Sequence, residues 1–423
     1  MIAILLIFLV LLGIGIPIAF ALGLAGYGYV VASTHLPPLI VFQRMFASID
    51  SFPFMAIPFF MLAGNLMFAG GLADKIIDLS RVLVGHMRGG LANVSIVASM
   101  FFGGVSGSSV ADASALGSIL IPAMKKQGYS SPFSAAINAT SSTVGIIIPP
   151  SIPMILTGVA TGLSIRELFF GGLLPGILVG LVMLVATTLL SRRHKFPRYP
   201  RASLREIGQA VLKGIPAMIM VLIILGGILG GIFTPTEASV VAVLYGLMMG
   251  LIYRRFTWQS LKKTFVDSAI SSAVVMMVIS TAGVITWLLA YSRLPQALAV
   301  YLTGVIHSPT LLMVVLATAF LLAGTVLDVS PAVLLFGPIL LPVIEAVGVD
   351  PIFFGVIMVF ALAIGLFTPP VGTTMIISAY LSSDSVLAVA RSCVPYLIAM
   401  VVLLYVLVFY SNLVLWIPTV LFR

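Results

Sequence analysis

Gly103 to Pro122 reads GGVSGSSVADASALGSILIP, so glycine, serine and a carboxylate, Asp112, stand in the middle of a run otherwise apolar enough to span a membrane. A continuous lipid-facing helix is not written this way, because unpaired backbone groups and a charge are costly in hydrocarbon. The stretch is either a loop between two helices or a hairpin that dips into the membrane, turns on Gly and Ser, and is shielded by protein. The hairpin is the better fit, since irregular backbone at membrane depth is tolerated where it is buried or lines a cavity.

The surrounding composition sets that environment. Of 423 residues, 61% are hydrophobic and 8% charged, with a mean hydropathy of +1.24, against about 25% charged for an ordinary soluble domain. Apolar runs long enough to span recur without β alternation, which implies an all-α polytopic membrane protein rather than a barrel. The net charge of +9 does not point to nucleic acid, because the basic residues sit between spans, where they set orientation. A lone Cys393 excludes a disulfide framework and any multi-Cys metal site. The four histidines, His35, His86, His194 and His307, are scattered, so no transition-metal site is expected. GGVSGSS lacks the strand and the Lys of a phosphate-binding loop. No nucleotide-hydrolysing or other enzymatic machinery is visible, so any pumping draws on an ion gradient or another chain.

Outward from the opening stretch, Met1 to Val31 reads as a first span, Ser33 to Asp50 as a polar break and Phe52 to Gly70 as a second apolar run. Gly71 to Arg88 has Ile76, Ile77, Leu79, Val82 and Leu83 on one side of a helix and its charges on the other, which suits a helix lying in the interface. Ser130 to Leu163 is interrupted at VGIIIPPS (Val144 to Ser151), where the double proline removes two amide donors and breaks the span at mid-depth. Leu168 to Leu190 is a span, followed by a long polar loop, Ser191 to Lys213. Further spans are expected at Ile215 to Phe233, Ser239 to Tyr253, Val266 to Ala290 and Val394 to Val414, with a second interfacial helix at Leu294 to His307. Thr234, Pro235 and Glu237 read as an N-cap, a first-turn proline and a capping-box acid.

The two halves repeat. At an offset of 220, Pro122 falls on Pro342, Gly128 on Gly348, Phe133 on Phe353, Gly145 on Gly365, Pro149 and Pro150 on Pro369 and Pro370, and Pro175 on Pro395. Upstream, an offset of 216 lays Ser108 to Ser114 on Gly324 to Ser330 and Asp112 on Asp328, leaving four extra residues before the second proline and a differently shaped second tip. Charge orients the copies: with the Ser191 to Lys213 loop in the cytoplasm, Arg44, Arg166, Arg293 and Arg423 lie outside and the remaining 17 of 21 Lys and Arg inside, as the positive-inside rule asks. The hairpins then open from opposite faces, the arrangement of an inverted repeat. The expected organisation is a first repeat over 1–190 with a hairpin at about 91–126, a cytoplasmic loop and connecting span over 191–235, and a second repeat over 236–423 with a hairpin at about 309–347.

Candidate ligands gather at the hairpins and the double-proline breaks: Ser106, Ser108, Ser109, Asp112 and Ser114, then Asn138, Thr140, Ser141, Ser142, Thr143, Gly145 and Ser151. The second copy offers Thr325, Asp328, Ser330, Gly365, Thr368, Gly372, Thr373 and Thr374. These hard oxygen donors, with the carbonyls of unwound backbone, suit Na⁺ far better than a transition metal, while half-helix N-termini favour an anion. The same Ser and Thr residues can instead cap helices or mediate close packing. Asp112 and Asp328 could be direct ligands, proton carriers or helix caps; each sits four to five residues past a small polar turn, which favours local caps that support neighbouring ligands. Glu237, Asp267 and Asp384 lie near predicted ends, where a solvated or capping role is the default.

Phe101 to Tyr129 (FFGGVSGSSVADASALGSILIPAMKKQGY), Gly145 to Ser151 (GIIIPPS), Gly230 to Ser239 (GGIFTPTEAS) and Gly365 to Thr374 (GLFTPPVGTT) together resemble the large membrane (M) subunit of tripartite ATP-independent periplasmic (TRAP) transporters. The likeness runs essentially end to end. It implies an ion-transporter-like fold with two re-entrant hairpins and broken helices, working as an elevator in the bacterial inner membrane, with Na⁺ as coupling ion and no other cofactor. It implies uptake of a carboxylate, such as a C4-dicarboxylate or sialic acid. The implied partners are a periplasmic substrate-binding protein (P) and a small four-helix membrane (Q) subunit, which is not expected to be fused here. Family Na⁺ sites at hairpin tips transfer, as regions, to Ser106, Gly107, Ser108 and Ser109 with Thr143, Gly145, Ile148 and Pro149, and to Gly324, Thr325 and Asp328 with Gly365, Thr368, Gly372 and Thr373. A stand-alone Na⁺/anion symporter and a channel or structural subunit are the alternatives.

Overall fold

Near the N-terminus the chain departs from the single span expected over Met1 to Val31. In the computed structural model, which describes residues 2–194, 196 and 199–422, this stretch is two helices, α1 (Ile2–Gly13) and α2 (Ile18–Ser33). Gly15 takes a φ of +87° and Pro17 precedes the second helix, so the chain reverses and Gly28 lies opposite Ile7. Neither helix reaches the roughly 20 residues that cross a bilayer. The Ser33 to Asp50 stretch, read as a polar break, holds a third helix, α3 (Leu39–Ile49), started by Pro37 and Pro38, which suit a helix N-terminus. Met1, Lys195, Arg198 and Arg423, which entered the span and charge readings, lie outside the described residues.

The remaining described elements follow in order. A 3-10 turn at Phe52–Met55 leads into α4 (Ala56–Ala69), and α5 (Leu72–Val84) starts after Gly71. The first hairpin is α6 (Gly90–Ser106) and α7 (Ser109–Lys126); the first broken helix is α8 (Ser131–Ser141), a 3-10 turn (Ser142–Ile146) and α9 (Ile152–Thr161). Then come α10 (Ile165–His194), α11 (Leu204–Leu229), α12 (Pro235–Ile252), α13 (Trp258–Tyr291) and α14 (Leu294–Val305). The second hairpin is α15 (Pro309–Gly324) with α16 (Val329–Ala346), the second broken helix α17 (Pro351–Gly365) with α18 (Thr373–Ser382), and the chain ends in α19 (Val386–Phe409) and α20 (Asn412–Phe422). Seven helices among the described residues are long and apolar enough to cross a membrane.

Caps explain the boundaries that hydropathy misplaced. The polar loop expected over Ser191 to Lys213 is mostly helix, because Ser203 and Glu206 form a capping box that starts α11. Thr234 and Glu237 form the expected box at α12, with Pro235 in its first turn. The last span, expected over Val394 to Val414, begins earlier at Val386, where Ser385 caps it, and ends at Phe409 ahead of α20. The expected interfacial helices are α5 and α14; in α5, Ile76 and Leu79 are buried, Ile77 and Val82 half-buried and Leu83 exposed.

The core is built on the two broken helices. Every residue of α17 from Ile352 to Gly365 is buried, which explains its all-round apolar sequence. Packing across the halves is reciprocal: α7 of the first hairpin lies on α18, and α16 of the second hairpin lies on α9. Ser131 Oγ and Lys125 Nζ both donate to Ser382 O, so α8 starts beside the base of the first hairpin. Along α8 and its turn, Asn138 reaches Ala113 and Gly145 abuts Gly103, close to the hairpin tip. Thr157 and Leu163 then abut Gly355, in the first turns of α17. The base of the first hairpin therefore sits at one end of the first broken helix and the base of the second near the other. Tyr199 N donates to Gly85 O and Gln127 Nε2 to Tyr199 Oη, which folds the α10–α11 connection onto the base of the first hairpin.

The hairpin helices also correct the residue pairing. Ser109–Lys126 and Val329–Ala346 are equal in length and start 220 positions apart, so the second helix of each hairpin keeps that offset throughout. Asp328 therefore matches Ser108, since both are N-caps, whereas Asp112 lies in the first turn of α7. The second copy is longer in the tip itself, 325–328 against 107–108, by two residues and not the four expected, and ahead of the helix rather than between acid and proline. The glycine-rich tip has no fixed periodicity, so an ungapped match slid through it.

The halves are stitched at mid-depth by Asn138, whose Nδ2 donates to Ala113 O and to Ser378 Oγ, both at 2.9 Å. We expect Asn138→Ala and Ser378→Ala each to lower stability, the former by about 1–3 kcal/mol because it strands buried polar atoms. In thermal unfolding the double variant should lose less than the sum of the singles; strict additivity would show that the contact contributes nothing.

Candidate functional site

Each hairpin tip is seated against the break of its own half, and glycine makes the fit possible. A Cβ on Gly103 would lie 2.2 Å from the Gly145 Cα, and a Cβ on Gly365 would lie 2.2 Å from the backbone of Gly324. Such distances leave no room for any side chain. Backbone hydrogen bonds complete both seats: Ile152 N donates to Gly107 O at 3.2 Å, and Val371 N to Thr325 O at 3.1 Å. Gly107 sits at a φ of +60° and Gly372 at +54°, a region glycine enters without a Cβ penalty.

In the first seat, Ser106 is buried and donates its hydroxyl to Asp112 Oδ1, while Ser108 N donates to Ser106 Oγ at 3.2 Å. Ser108 caps α7 through Ala111 N. Asp112 is buried, its Oδ2 lies against Gly145, and that oxygen has no hydrogen-bond partner among the described residues. It is therefore not a helix cap; it ties the tip to the break. Thr143 turns its hydroxyl back onto Thr140 O at 2.7 Å, and Ile148 packs against Gly176 of α10.

In the second seat, Asp328 accepts from Ser330 N and caps α16. Thr373 Oγ1 approaches its other oxygen at 3.5 Å, the outer limit of a hydrogen bond. Thr325 and Thr368 donate back to Leu322 O and Ile364 O of the helices they follow. Of the hydroxyls expected at the sites, those of Thr143, Thr325 and Thr368 thus satisfy local backbone in this arrangement.

The breaks offer oxygen in matching places. Carbonyls Ile147 to Pro150, and their counterparts Phe367 to Pro370 at the 220 offset, accept no hydrogen bond among the described residues. Those of the first break are buried, where carbonyls are seldom left so; in the second, Phe367 is buried, Thr368 half-buried, and Pro369 and Pro370 exposed. Among the described residues no three His, Cys, Asp or Glu side chains cluster as a metal site. The donors at both seats are hydroxyl, carbonyl and carboxylate oxygens, chemistry that fits a hard cation of low charge.

Beyond the seats lies a cavity of about 710 Å³, within the size range of small-molecule sites. Both tips line it: Ser108 and Ser109 with the first turn of α7, and Asp328 to Pro331 with the first turn of α16. Two helix N-termini thus meet at one space, each a positive dipole end worth up to about 2 kcal/mol to a partly buried anion; at α7 the Ser109 and Val110 N–H groups have no partner among the described residues, whereas at α16 Asp328 takes the Ser330 N–H and Pro331 has none to offer. Among the described residues, no Lys or Arg lines the cavity. Gly145, Ile148, Pro149, Gly365, Thr368 and Thr373 lie outside its lining, behind the tips.

The facing wall went unread in the sequence. Met61, Gly64 and Asn65 of α4 and Asp267, Ile270 and Ser271 of α13 complete the lining, and Asn65 Nδ2 donates to Ser268 Oγ at 2.8 Å. Asp267 is exposed, as the expected solvated role requires, but it faces the cavity, because α13 begins at Trp258 and carries it well inside the helix. An Asn within an apolar span was the available signal.

Comparison with known proteins agrees with this architecture. Residues 5–413 match the family model described as "Tripartite ATP-independent periplasmic transporter, DctM component". The chain is 38% identical over 404 residues to the 2,3-diketo-L-gulonate TRAP transporter large permease protein YiaN of Escherichia coli, covering 95% of each chain. It is 36% identical over 376 residues to the C4-dicarboxylate TRAP transporter large permease protein DctM of Pseudomonas aeruginosa, covering 89% of this chain and 88% of that one. The crystal structure of the YdaH transporter of Alcanivorax borkumensis superposes with a TM-score of 0.66 at 15% identity, over 90% of this chain and 89% of that one, which speaks to the fold alone.

The glycine contacts make a direct test. Gly103→Ala and Gly365→Ala should each cost well over the roughly 1–3 kcal/mol typical of overpacking, because backbone on both sides cannot yield, and should lower the unfolding temperature and the yield of folded protein. Gly226→Ala, in α11 with nothing within 4 Å of its added Cβ, should be neutral or stabilising by up to about 1 kcal/mol. Equal behaviour of the three variants would refute the close seating.

Proposed function

The chain belongs to the DctM family of tripartite ATP-independent periplasmic transporters, and from that membership we propose that it couples Na⁺ entry to uptake of an organic carboxylate by an elevator movement. It is a multi-pass permease subunit of the bacterial inner membrane, a secondary transporter of organic anions and not an enzyme. The carboxylates in the names of its relatives, 2,3-diketo-L-gulonate and C4-dicarboxylate, set the substrate class we assign.

The observation that carries the reading is the meeting of two helix N-termini at a cavity without Lys or Arg, with oxygen-rich seats behind both tips. An anion there has helix dipoles and hydroxyls but no fixed cation. Na⁺ held at the seats would supply the missing positive charge, so that ion and substrate each make the other's site more favourable. By linkage such coupling is reciprocal. Asp328 at the cavity edge would otherwise repel a carboxylate, and a cation beside it removes that penalty.

Entry of the hairpins from opposite ends of the first broken helix supports the inverted-repeat reading, in which substrate and ion sites sit at the repeat interface near mid-membrane. The hairpins and broken helices would travel together as one body, since α7 with α18 and α16 with α9 are mutually packed. Helices α4 and α13, on the other side of the cavity, would form the wall they slide past. The tripartite family description supports two partners: a small membrane (Q) subunit and a periplasmic binding protein (P) that delivers the substrate.

Uptake into proteoliposomes holding this chain and its small subunit tests the proposal. Labelled carboxylate should accumulate only with an inward Na⁺ gradient and a loaded binding protein; accumulation without the binding protein would select a stand-alone symporter, and ion flux without substrate a channel. Ser108→Ala and Thr373→Ala should each raise the Na⁺ concentration for half-maximal uptake severalfold, as loss of an oxygen worth about 1 kcal/mol implies. If neither moves it, the Na⁺ sites are misplaced.

A further inference from the structure

The cavity between the tips and the facing wall extends toward one hairpin base and not the other. Along the first hairpin its lining runs down α7 as far as Ser118, toward the base at Lys125, whereas along the second it stops at Pro331, in the first turn of α16. At the shut side, near the base of the second hairpin, α10 begins. Leu163 and Leu168 crowd Gly355 of α17 there, and Arg166 stands between those two leucines in the chain.

Arg166 joins two sets of helices. Helix α10 lies on α6, α9, α17, α19 and α20, the set built around the hairpins and breaks, while α11, its contact with α6 apart, lies on α5 and α12, and α12 on α4. The Arg166 side chain crosses that division: Nη2 donates to Leu229 O at the end of α11. The turn there gives Leu229 O no backbone donor, since Gly231 N goes to Ile228 O, and Ile232 N and Phe233 N go to Gly227 O. The cation also meets the negative dipole end of α11. Its own set of helices aims it: the guanidinium stands 4.7 Å over the Phe422 ring of α20, a stack that suits the planar cation of Arg. Arg166 Nε is buried without a hydrogen-bond partner among the described residues, so the guanidinium is partly desolvated and its bond to Leu229 O gains from the low local dielectric. A further hydrogen bond between the two sets, Thr286 Oγ1 to Leu334 O at 3.0 Å, is neutral, and Thr286 also has Ala282 O of its own helix to bond. Arg166 has no second acceptor among the described residues.

We propose that the clasp from Arg166 to Leu229 O is a latch: it holds the hairpins and broken helices in the present arrangement, shut on the side of the second hairpin's base, and breaks each time they travel to the opposite one. The latch rests on the elevator movement proposed above and is independent of the Na⁺ sites and the substrate. A shift of α10 past α11 along the membrane normal carries Arg166 away from the carbonyl it holds, so the bond stabilises one end of the travel and not the other. Such a difference between two states is what sets their populations.

The experiment measures distances by double electron–electron resonance between spin labels on Lys126→Cys of α7 and Gln259→Cys of α13, both exposed positions. It uses the full-length chain reconstituted with its small subunit, with the buried Cys393 replaced by alanine. The labels should show the separation of the present arrangement and a second one. Arg166→Gln should raise the ratio of the second to the first at least about tenfold, as loss of one hydrogen bond from a charged donor implies. Arg166→Lys, which keeps the charge and a donor but not the planar stack, should raise it less. Arg44→Gln removes an arginine stacked at 4.7 Å on Trp287 between α3 and α13, both on the wall side, and should leave the ratio as it is. An unchanged ratio in Arg166→Gln, or an equal rise in Arg44→Gln, overturns the latch. A single separation in every variant of a chain that still takes up substrate overturns the elevator movement itself.

Discussion

The structure depends on two places where backbone touches backbone: Gly103 against Gly145, and Gly365 against Gly324. At each, a hairpin tip is pressed into the gap of a broken helix so closely that no Cβ fits. This proximity satisfies some of the groups that unwinding exposes, as in the hydrogen bonds from Ile152 N to Gly107 O and from Val371 N to Thr325 O. In the first copy it also covers those that stay unpaired, since Ile147 to Pro150 are all buried. Irregular backbone can exist at membrane depth only under such cover, so the glycines and the double prolines are two halves of one device.

That device has a polarity. Behind the tips are carbonyls and, in the first copy, a buried carboxylate oxygen of Asp112 without a hydrogen-bond partner. In front are two helix N-termini facing a cavity. Negative ends of dipoles collect on one side and positive ends on the other. On the proposed reading, a cation and an anion would share this small volume without a basic side chain, each making the other's site more favourable. In the first break the unsatisfied carbonyls are buried, at a cost of several kcal/mol per group in hydrocarbon, which a cation bound as proposed would offset.

Much of this was legible in the chain, for reasons that can be named. The helix breakers are Gly and Pro, whose backbone chemistry acts locally, so GIIIPPS and GLFTPPVGTT mark breaks wherever they fold. The Thr234 and Glu237 cap was legible on the same ground. Met1 to Val31 was not, because its hydropathy is continuous and a single reversal at Gly15 to Pro17 leaves composition unchanged. Nor was α3, whose apolar residues are diluted by the Gln and Arg of an amphipathic helix. The pairing of Asp112 with Asp328 failed because tip residues have no period to hold them in register; only the equal lengths of α7 and α16 reveal that Asp328 stands where Ser108 does.

The sequence by itself determined the membrane setting, the helical class, the two broken helices and the residue types at the tips, since each follows from local chemistry: apolar content, missing amide donors, small side chains. The tertiary structure alone decided which oxygens are spent and which remain. The hydroxyls of Thr143, Thr325 and Thr368 turn to their own helices, whereas Asp112 is drawn to Ser106 and Gly145. It also decided that Asn65 and Asp267 face the tips across a cavity. Hydrogen-bond satisfaction and cavity shape depend on partners far away in the chain, and no local pattern in the sequence carries that information.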